Sequence, residues 1–241
     1  MECYKLFSEV YDNLIKNDID YKSVSDFIYK NIEKGSSFLD LACGTGNLTE
    51  KLVPYYKEAY GVDLSCDMLS VASSKESLKA VKFINQDLSE LNIGISFDLI
   101  TCSLDSINYI PDKRKVKSLF KRIYDHLSDK GTFVFDINSR YKLSCIMGNN
   151  TFTYEDEDLC YIWDNYYEKD KLYMDLTFFI REGNLYKRFS EQHIERAYTE
   201  EFIEKSLKDA SLKVIKKTDG WREKKVSAKT ERIVYFVKKI A

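Results

Sequence analysis

Residues 38–50 read FLDLACGTGNLTE, and this stretch decides the architecture. An apolar strand carries Asp40 near its end, Gly44 and Gly46 make a tight turn, and an amphipathic helix opens at about Asn47 with Leu48, Leu52 and Val53 on one face. Glycine is needed there because the backbone must turn sharply and let a ligand approach where a Cβ would clash. The N–H groups of the new helix then face any anion in the crevice.

Outward from this turn, residues 38–136 alternate short apolar runs with amphipathic stretches, the rhythm of β-α-β units and a parallel sheet. The expected strands are Ser37–Ala42, Glu58–Val62, Val81–Asn85, Phe97–Ser103 and Thr132–Asp136. Between the last two, Val116, Leu119, Phe120, Ile123 and Leu127 recur at helical spacing, with Pro111 near the start and Gly131 beyond the end. His126, in the last turn of that helix, reads as a solvated side chain near a helix C-terminus.

Beyond Asp136 the period changes to two, with Leu172, Met174, Leu176, Phe178 and Ile180 alternating with their neighbours. This predicts an antiparallel meander of Tyr161–Glu168, Leu172–Arg181 and Leu185–Ala197. A helix N-capped by Thr199 and running to about Ala210 leads to two closing strands, Lys213–Thr218 and Arg232–Lys238. The expected organisation is a main domain of residues 1–139 and 198–241, into which an antiparallel cap of residues 140–197 is inserted.

The 241 residues are 44% hydrophobic and 32% charged, which suits a globular chain. Lys plus Arg number 37 against 39 Asp plus Glu, a balance that argues against binding nucleic acid through bulk charge. No apolar run approaches ~20 residues, and the charged N-terminus lacks a signal-peptide pattern, so a cytoplasmic protein without membrane association is expected. Six scattered cysteines with no Cys-x-x-Cys pair predict reduced thiols and no metal site.

Two further acids complete the signal. The second strand ends at Asp63 (YGVDLS) and the third at Asp87 (FINQDLS), so three acids stand at consecutive strand ends beside a glycine turn. An acid at the second position accepts two hydrogen bonds from a ribose diol, and the set describes an adenosine-bearing ligand across the sheet edge. A dinucleotide fold would place a third glycine where Thr49 stands, and a P-loop would need Gly-Lys-Ser/Thr, which is absent. Asp40, ahead of the glycines, suits a ligand with a cationic amino group; S-adenosylmethionine has one.

Residues 38–50, 60–65, 84–88 and 97–110 resemble, in order and spacing, the motifs of class I S-adenosylmethionine-dependent methyltransferases. The resemblance extends over nearly the whole chain to small bacterial members, through SEVYDNL, LDSINY and ERAYTEE. It implies an α/β, Rossmann-like, seven-stranded and mostly parallel sheet with an antiparallel last strand and an inserted antiparallel β cap. It also implies that Asp40 holds the methionine amino group, directly or through water. Gly44 and Gly46 would shape the turn, Asp63 would bind the ribose and Met68 would pack on adenine. Asp87 would accept from the adenine amino group beside the Leu88 backbone, with Ala42, Leu64 and Gln86 alongside in the same motifs. Cys102 and Ser103 would border the reacting methyl, and Tyr11 and Tyr4 match a lid over the cofactor.

Transfer from a sulfonium is an in-line displacement that rests largely on positioning. Asp105, Asn108 and Tyr109 after the fourth strand and His193, Arg196 and Tyr198 at the end of the cap are candidates facing the acceptor; of these, Tyr198, His193 and Asn108 are the expected catalytic group. Alternation puts His193 on the opposite strand face from Arg196 and Tyr198. Arg196 also reads as an ion-pair partner of Glu195 or Glu200, and the cap aromatics Tyr161, Trp163, Tyr166, Tyr167, Tyr173 and Phe179 as a cage. The expected acceptor is a small molecule, methylated at nitrogen or oxygen. A nucleic-acid methyltransferase using Arg222, Lys224 and Lys225 and a non-catalytic cofactor-binding module are the rivals.

Overall fold

The computed structural model describes residues 19–240; Tyr4 and Tyr11 lie outside them. Among the described residues the first helix, α1 (Tyr21–Lys30), is N-capped by Asp20, whose carboxylate accepts from Ser23 N–H. The chain then runs β1 (Ser37–Leu41), α2 (Asn47–Leu52), β2 (Glu58–Asp63), α3 (Cys66–Ser74), β3 (Lys82–Asn85), β4 (Phe97–Cys102), α4 (Lys113–His126) and β5 (Leu127–Asn138). Four strands follow, β6 (Thr151–Glu155), β7 (Leu159–Glu168), β8 (Lys171–Glu182) and β9 (Leu185–Arg196). Helix α5 (Glu200–Asp209), capped by Thr199, leads to β10 (Leu212–Asp219) and β11 (Arg232–Lys239).

Seven strands form one sheet in the order β10-β11-β5-β4-β1-β2-β3. The pairs among β1 to β5 are parallel, and β11 enters antiparallel between β5 and β10, as the motif order implied. Alternation along the strands supplies two cores. Leu39, Ile100, Phe133, Phe135 and Tyr235 pack on α4 and α5, while Phe38, Leu99, Val134 and Phe236 pack on α1 and α2. The chain leaves β1 for β2 on one side and returns to β4 on the other, so the crevice of a doubly wound sheet opens at the carboxyl ends of β1 and β4.

β6 to β9 form a separate antiparallel sheet. The meander was legible, but β6 was not: TFTYE is a five-residue edge strand with every residue exposed, too short and too polar to carry a buried period. The six residues Lys142–Met147, wound as a π-turn, also escaped notice. β5 begins at Leu127, directly at the end of α4, pairs there with Phe97, and shifts register before Thr132, so Leu127 belongs to the strand and not to the helix face. His126 is buried rather than solvated: Nε2 accepts from Ile93 N–H at 2.9 Å and Nδ1–H donates to the Arg122 carbonyl at 2.7 Å, which defines a neutral tautomer.

Candidate active site

The glycine turn is built on left-handed backbone. Ala42, Gly44 and Gly46 have φ of 53°, 55° and 79°. A Cβ placed on Gly44 would meet nothing within 4 Å, so the space above it is open. Beneath the turn, Asp40 is 2% exposed and takes a hydroxyl on each oxygen, Thr49 Oγ1 and Thr101 Oγ1 both at 2.6 Å. Burial lifts its carboxyl to about 6 against these two hydrogen bonds. At the end of β2, Asp63 Oδ2 accepts from Gly44 N–H and Oδ1 from Ser65 N–H, both at 2.8 Å. Each oxygen keeps a lone pair for another donor, and burial outweighs these bonds to raise its carboxyl above the ordinary range.

Leu64, next in sequence, leaves β2 with its side chain 60% exposed beside this acid, an apolar shelf at the crevice. Met68 is buried in α3, and Leu88 lies in the 3-10 turn that follows β3. Asp87 caps that turn through Ser89 N–H at 2.8 Å and pairs with Lys115 at 2.8 Å. Partial burial pushes its carboxyl up, but Lys115 and Ser89 prevail and hold it below the usual range. Gln86 bridges to Glu90 and Asn92, closing the same loop.

β4 ends at Cys102, which is buried like Ser103 just past it, and burial pushes the Cys102 thiol up, leaving it a neutral apolar neighbour. Ser103 Oγ is buried with no hydrogen-bond partner among the described residues. The next two residues, Leu104 and Asp105, both have positive φ, 57° and 54°. Asp136 at the end of β5 holds this strained corner, accepting from Leu104 N–H at 2.7 Å and Asp105 N–H at 3.0 Å, and it is paired with Arg232. Arg232 also reaches Asp105 Oδ1 at 2.7 Å. A cavity of about 300 Å³ adjoins this corner, lined by Ile19, Asp20, Ser23, Val24, Leu104, Trp221 and Arg232.

Three expectations are corrected here. Asn108 is fully buried and spends its amide on backbone, donating to the Asn138 and Arg196 carbonyls and accepting from Asn138 N–H at 3.0 Å. It is a clamp between the loop after β4, the end of β5 and the end of β9. Tyr198 is 2% exposed and its hydroxyl donates to the Ile110 carbonyl, so it props the same loop rather than facing a cavity. Arg196 makes no ion pair with Glu195 or Glu200; its Nε donates to the Pro111 carbonyl at 2.6 Å.

The cap aromatics also separate. Tyr161, Trp163 and Tyr167 lie on the inner face of β7, while Tyr166 and Tyr173 pair across the outer face, so six rings on alternating positions cannot form one cage.

His193 does face inward. It is buried, its ring meets Tyr109 edge-on at 5.9 Å, and its Nε2 lies 3.2 Å from Glu191 Oε2. Two residues on, Glu195 is 2% exposed and accepts from Asn138 Nδ2 at 3.0 Å, while Lys142 donates to Asn138 Oδ1 at 2.9 Å. Burial and the neighbouring Asp105 push its carboxyl up to about 8 against Asn138, Lys142 and Arg232. Glu195 was missed as a site residue because an acid in an alternating strand reads as solvent-facing; its even spacing from His193 was the available signal. Among the described residues no His, Cys, Asp and Glu group has metal-binding geometry. Two of the basic residues at the hairpin are paired internally, Lys224 on Asp219 at 2.6 Å and Lys216 on Glu223 at 2.6 Å.

These features fit S-adenosylmethionine. The open turn at Gly44, the outward lone pairs of Asp63, the exposed Leu64 shelf and the unpartnered Ser103 hydroxyl lie in sequence along one crevice. A family model described as "Methyltransferase domain" matches residues 38–131. The chain is 32% identical over 240 residues to "Putative methyltransferase YqeM" of Bacillus subtilis (strain 168), covering 98% of this chain and 97% of that one. A crystal structure of an S-adenosylmethionine-dependent methyltransferase from Clostridium acetobutylicum superimposes with a TM-score of 0.91 at 49% identity, over 99% of each chain. The sugar N-methyltransferase KedS8 from Streptoalloteichus shares the fold at 20% identity, with a TM-score of 0.78 over 95% of this chain and 93% of that one. Sequence motifs, sheet order and relatives agree: the chain belongs to the class I S-adenosylmethionine-dependent methyltransferases.

Proposed function

We propose that the protein methylates a small-molecule acceptor at nitrogen or oxygen, in the crevice between the carboxyl edge of the parallel sheet and the inner face of the cap. The observation that carries this reading is the placement of buried His193 and Glu195 opposite the end of β4, where a donor lying on Asp63 and the Gly44 turn would present its methyl. S-adenosylmethionine, when bound, supplies a methyl already activated by sulfonium charge. The chain's own work is then to bind, to exclude water and to orient.

Asp63 would hold the ribose through its outer lone pairs, and Leu64 with Met68 the adenine face. Asp87 would reach the adenine amino group by exchanging its Lys115 contact. Asp40 would hold the methionine amino group, directly or through water, on the lone pairs that its two threonine bonds leave free. Cys102 and Ser103 would wall the methyl end. Residues 140–197 would form the inserted cap. The sugar N-methyltransferase KedS8 acts, by its description, on a small molecule, which favours this class of acceptor. A nucleic-acid acceptor is disfavoured by the internal pairing of Lys216 and Lys224, which leaves less free positive charge on the hairpin rim. Free thiols at the five described cysteines suit the cytoplasm.

The test is calorimetric titration with S-adenosylmethionine and S-adenosylhomocysteine. Asp63→Ala is expected to lower affinity about a hundredfold, the loss of two charge-assisted hydrogen bonds. Its far-ultraviolet circular dichroism should be unchanged. Affinity within threefold of the unmodified protein would remove Asp63 from the site.

A further inference from the structure

Resting on the reading above, we propose that the acceptor is an amine and that Glu195 receives its proton and holds its nitrogen in line with the methyl donor. The argument starts from placement. β9 turns Glu191, His193 and Glu195 to the inner face of the cap; His193 and Glu195 are buried, and the Glu191 side chain is 8% exposed. His193 against Tyr109 shows that this face meets the loop after β4. Glu195 is one step nearer the sheet, between Asn138 at the end of β5 and Asp105 just past β4.

Only Oε2 of Glu195 takes a hydrogen bond among the described residues, so the carboxyl has capacity left for a ligand. Among the described residues no cation pairs with it. Arg232 is committed to Asp105 and Asp136, and Lys142 donates to Asn138. Two buried carboxyls beside one histidine leave this wall short of positive charge, which burial makes costly unless a cation arrives or a proton stays. Trp163 Nε1 and Asn165 Oδ1, on the same face, are also buried without partners among the described residues, which points to a polar ligand rather than a closed core.

The chemistry balances on these groups. The acceptor enters as R–NH3⁺ and displaces the Glu195 proton to solvent, and the carboxylate so formed takes one proton from the ammonium. The neutral amine's lone pair then forms the C–N bond as the C–S bond breaks, and the sulfur keeps that electron pair. The product leaves as R–NH2⁺–CH3, and Glu195 keeps the proton it received, which restores its starting state. A carboxyl raised by burial and Asp105, and lowered by Lys142, Arg232 and Asn138, stands nearer to an amine's own range than an exposed acid would.

The probe is sinefungin, which carries an amine where S-adenosylmethionine carries its methyl, compared with S-adenosylhomocysteine, which carries nothing there. Titrations at pH 7 in two buffers of different ionisation enthalpy give both affinity and protons released. The unmodified protein is expected to release close to one more proton on binding sinefungin than on binding S-adenosylhomocysteine, because an ammonium ionises Glu195. Glu195→Gln should abolish that extra release and lower the sinefungin preference about tenfold, with S-adenosylhomocysteine affinity held within threefold. Glu195→Asp should restore part of the release. An unaltered preference and release in Glu195→Gln, or no extra release from the unmodified protein, would overturn the proposal; the second readout holds even where the variant does not fold. Failure of both ligands to bind the unmodified protein would instead overturn the cofactor site on which it rests.

Discussion

Asp40 shows how one buried side chain serves the fold and the site at cross purposes. An unfolded aspartate titrates near 4, whereas burial holds this one at about 6, so the folded protein binds the proton more tightly. Stability therefore falls as pH rises from about 4 to about 6, and above that the ionised carboxylate costs on the order of 3 kcal/mol. Asp40→Asn is expected to raise the melting temperature at pH 8 and to leave it little changed at pH 4. The same substitution should weaken S-adenosylmethionine binding at pH 8, because the ionised form is the one that attracts an amino group. Thermal unfolding and calorimetry at the two pH values check both halves. Tyr198 and Asn108 carry the opposite lesson: polar side chains at the mouth of the cap are spent on backbone groups.

At the scale of elements, the turn between β1 and α2 divides its labour between two glycines. Gly46 has φ of 79° and a Cβ there would stand 2.6 Å from Leu78 Cδ1, so the residue is needed for the fold. Gly44 has φ of 55° with open space above it, so a Cβ would cost only left-handed strain to the protein but would enter the ligand's volume. Gly46→Ala is expected to cost about 1–3 kcal/mol in thermal unfolding. Gly44→Ala should cost about 1 kcal/mol yet lose at least tenfold in cofactor affinity. Equal effects of both on stability and binding would contradict this division.

For the whole molecule, the decisive joint is the corner where β4, β5 and β11 meet. Arg232 of the last strand, Asp136 of β5 and Asp105 of the loop after β4 form one ionic group around the buried Asp136. It ties residues far apart in sequence and braces two consecutive left-handed residues. Asn108, Asn138 and Glu195 continue the joint into the cap. Arg232→Ala is expected to destabilise the protein by about 3–5 kcal/mol, because Asp136 would be left buried without its cation. Urea unfolding measures this, with a shift in midpoint and little change in slope. A shift below 1 kcal/mol would mean that solvent reaches Asp136 once the guanidinium is gone.

Local periodicity and turn chemistry were enough to place β1 to β5, the meander, α4, α5 and the glycine turn, because each is dictated by neighbours within about a dozen residues. The three acids at consecutive strand ends followed from the same patterns, since the end of a parallel strand is fixed by where its apolar run stops. What only the tertiary structure decided is which polar groups are spent and which remain available. Asn108 and Tyr198 meet carbonyls from distant segments, Arg196 reaches Pro111, and His126 closes a loop over Ile93. Glu195 is turned from a surface acid into a buried one by the docking of the cap on β5. Such partners are set by packing between segments that the chain brings together only on folding, and no local pattern in the sequence records them.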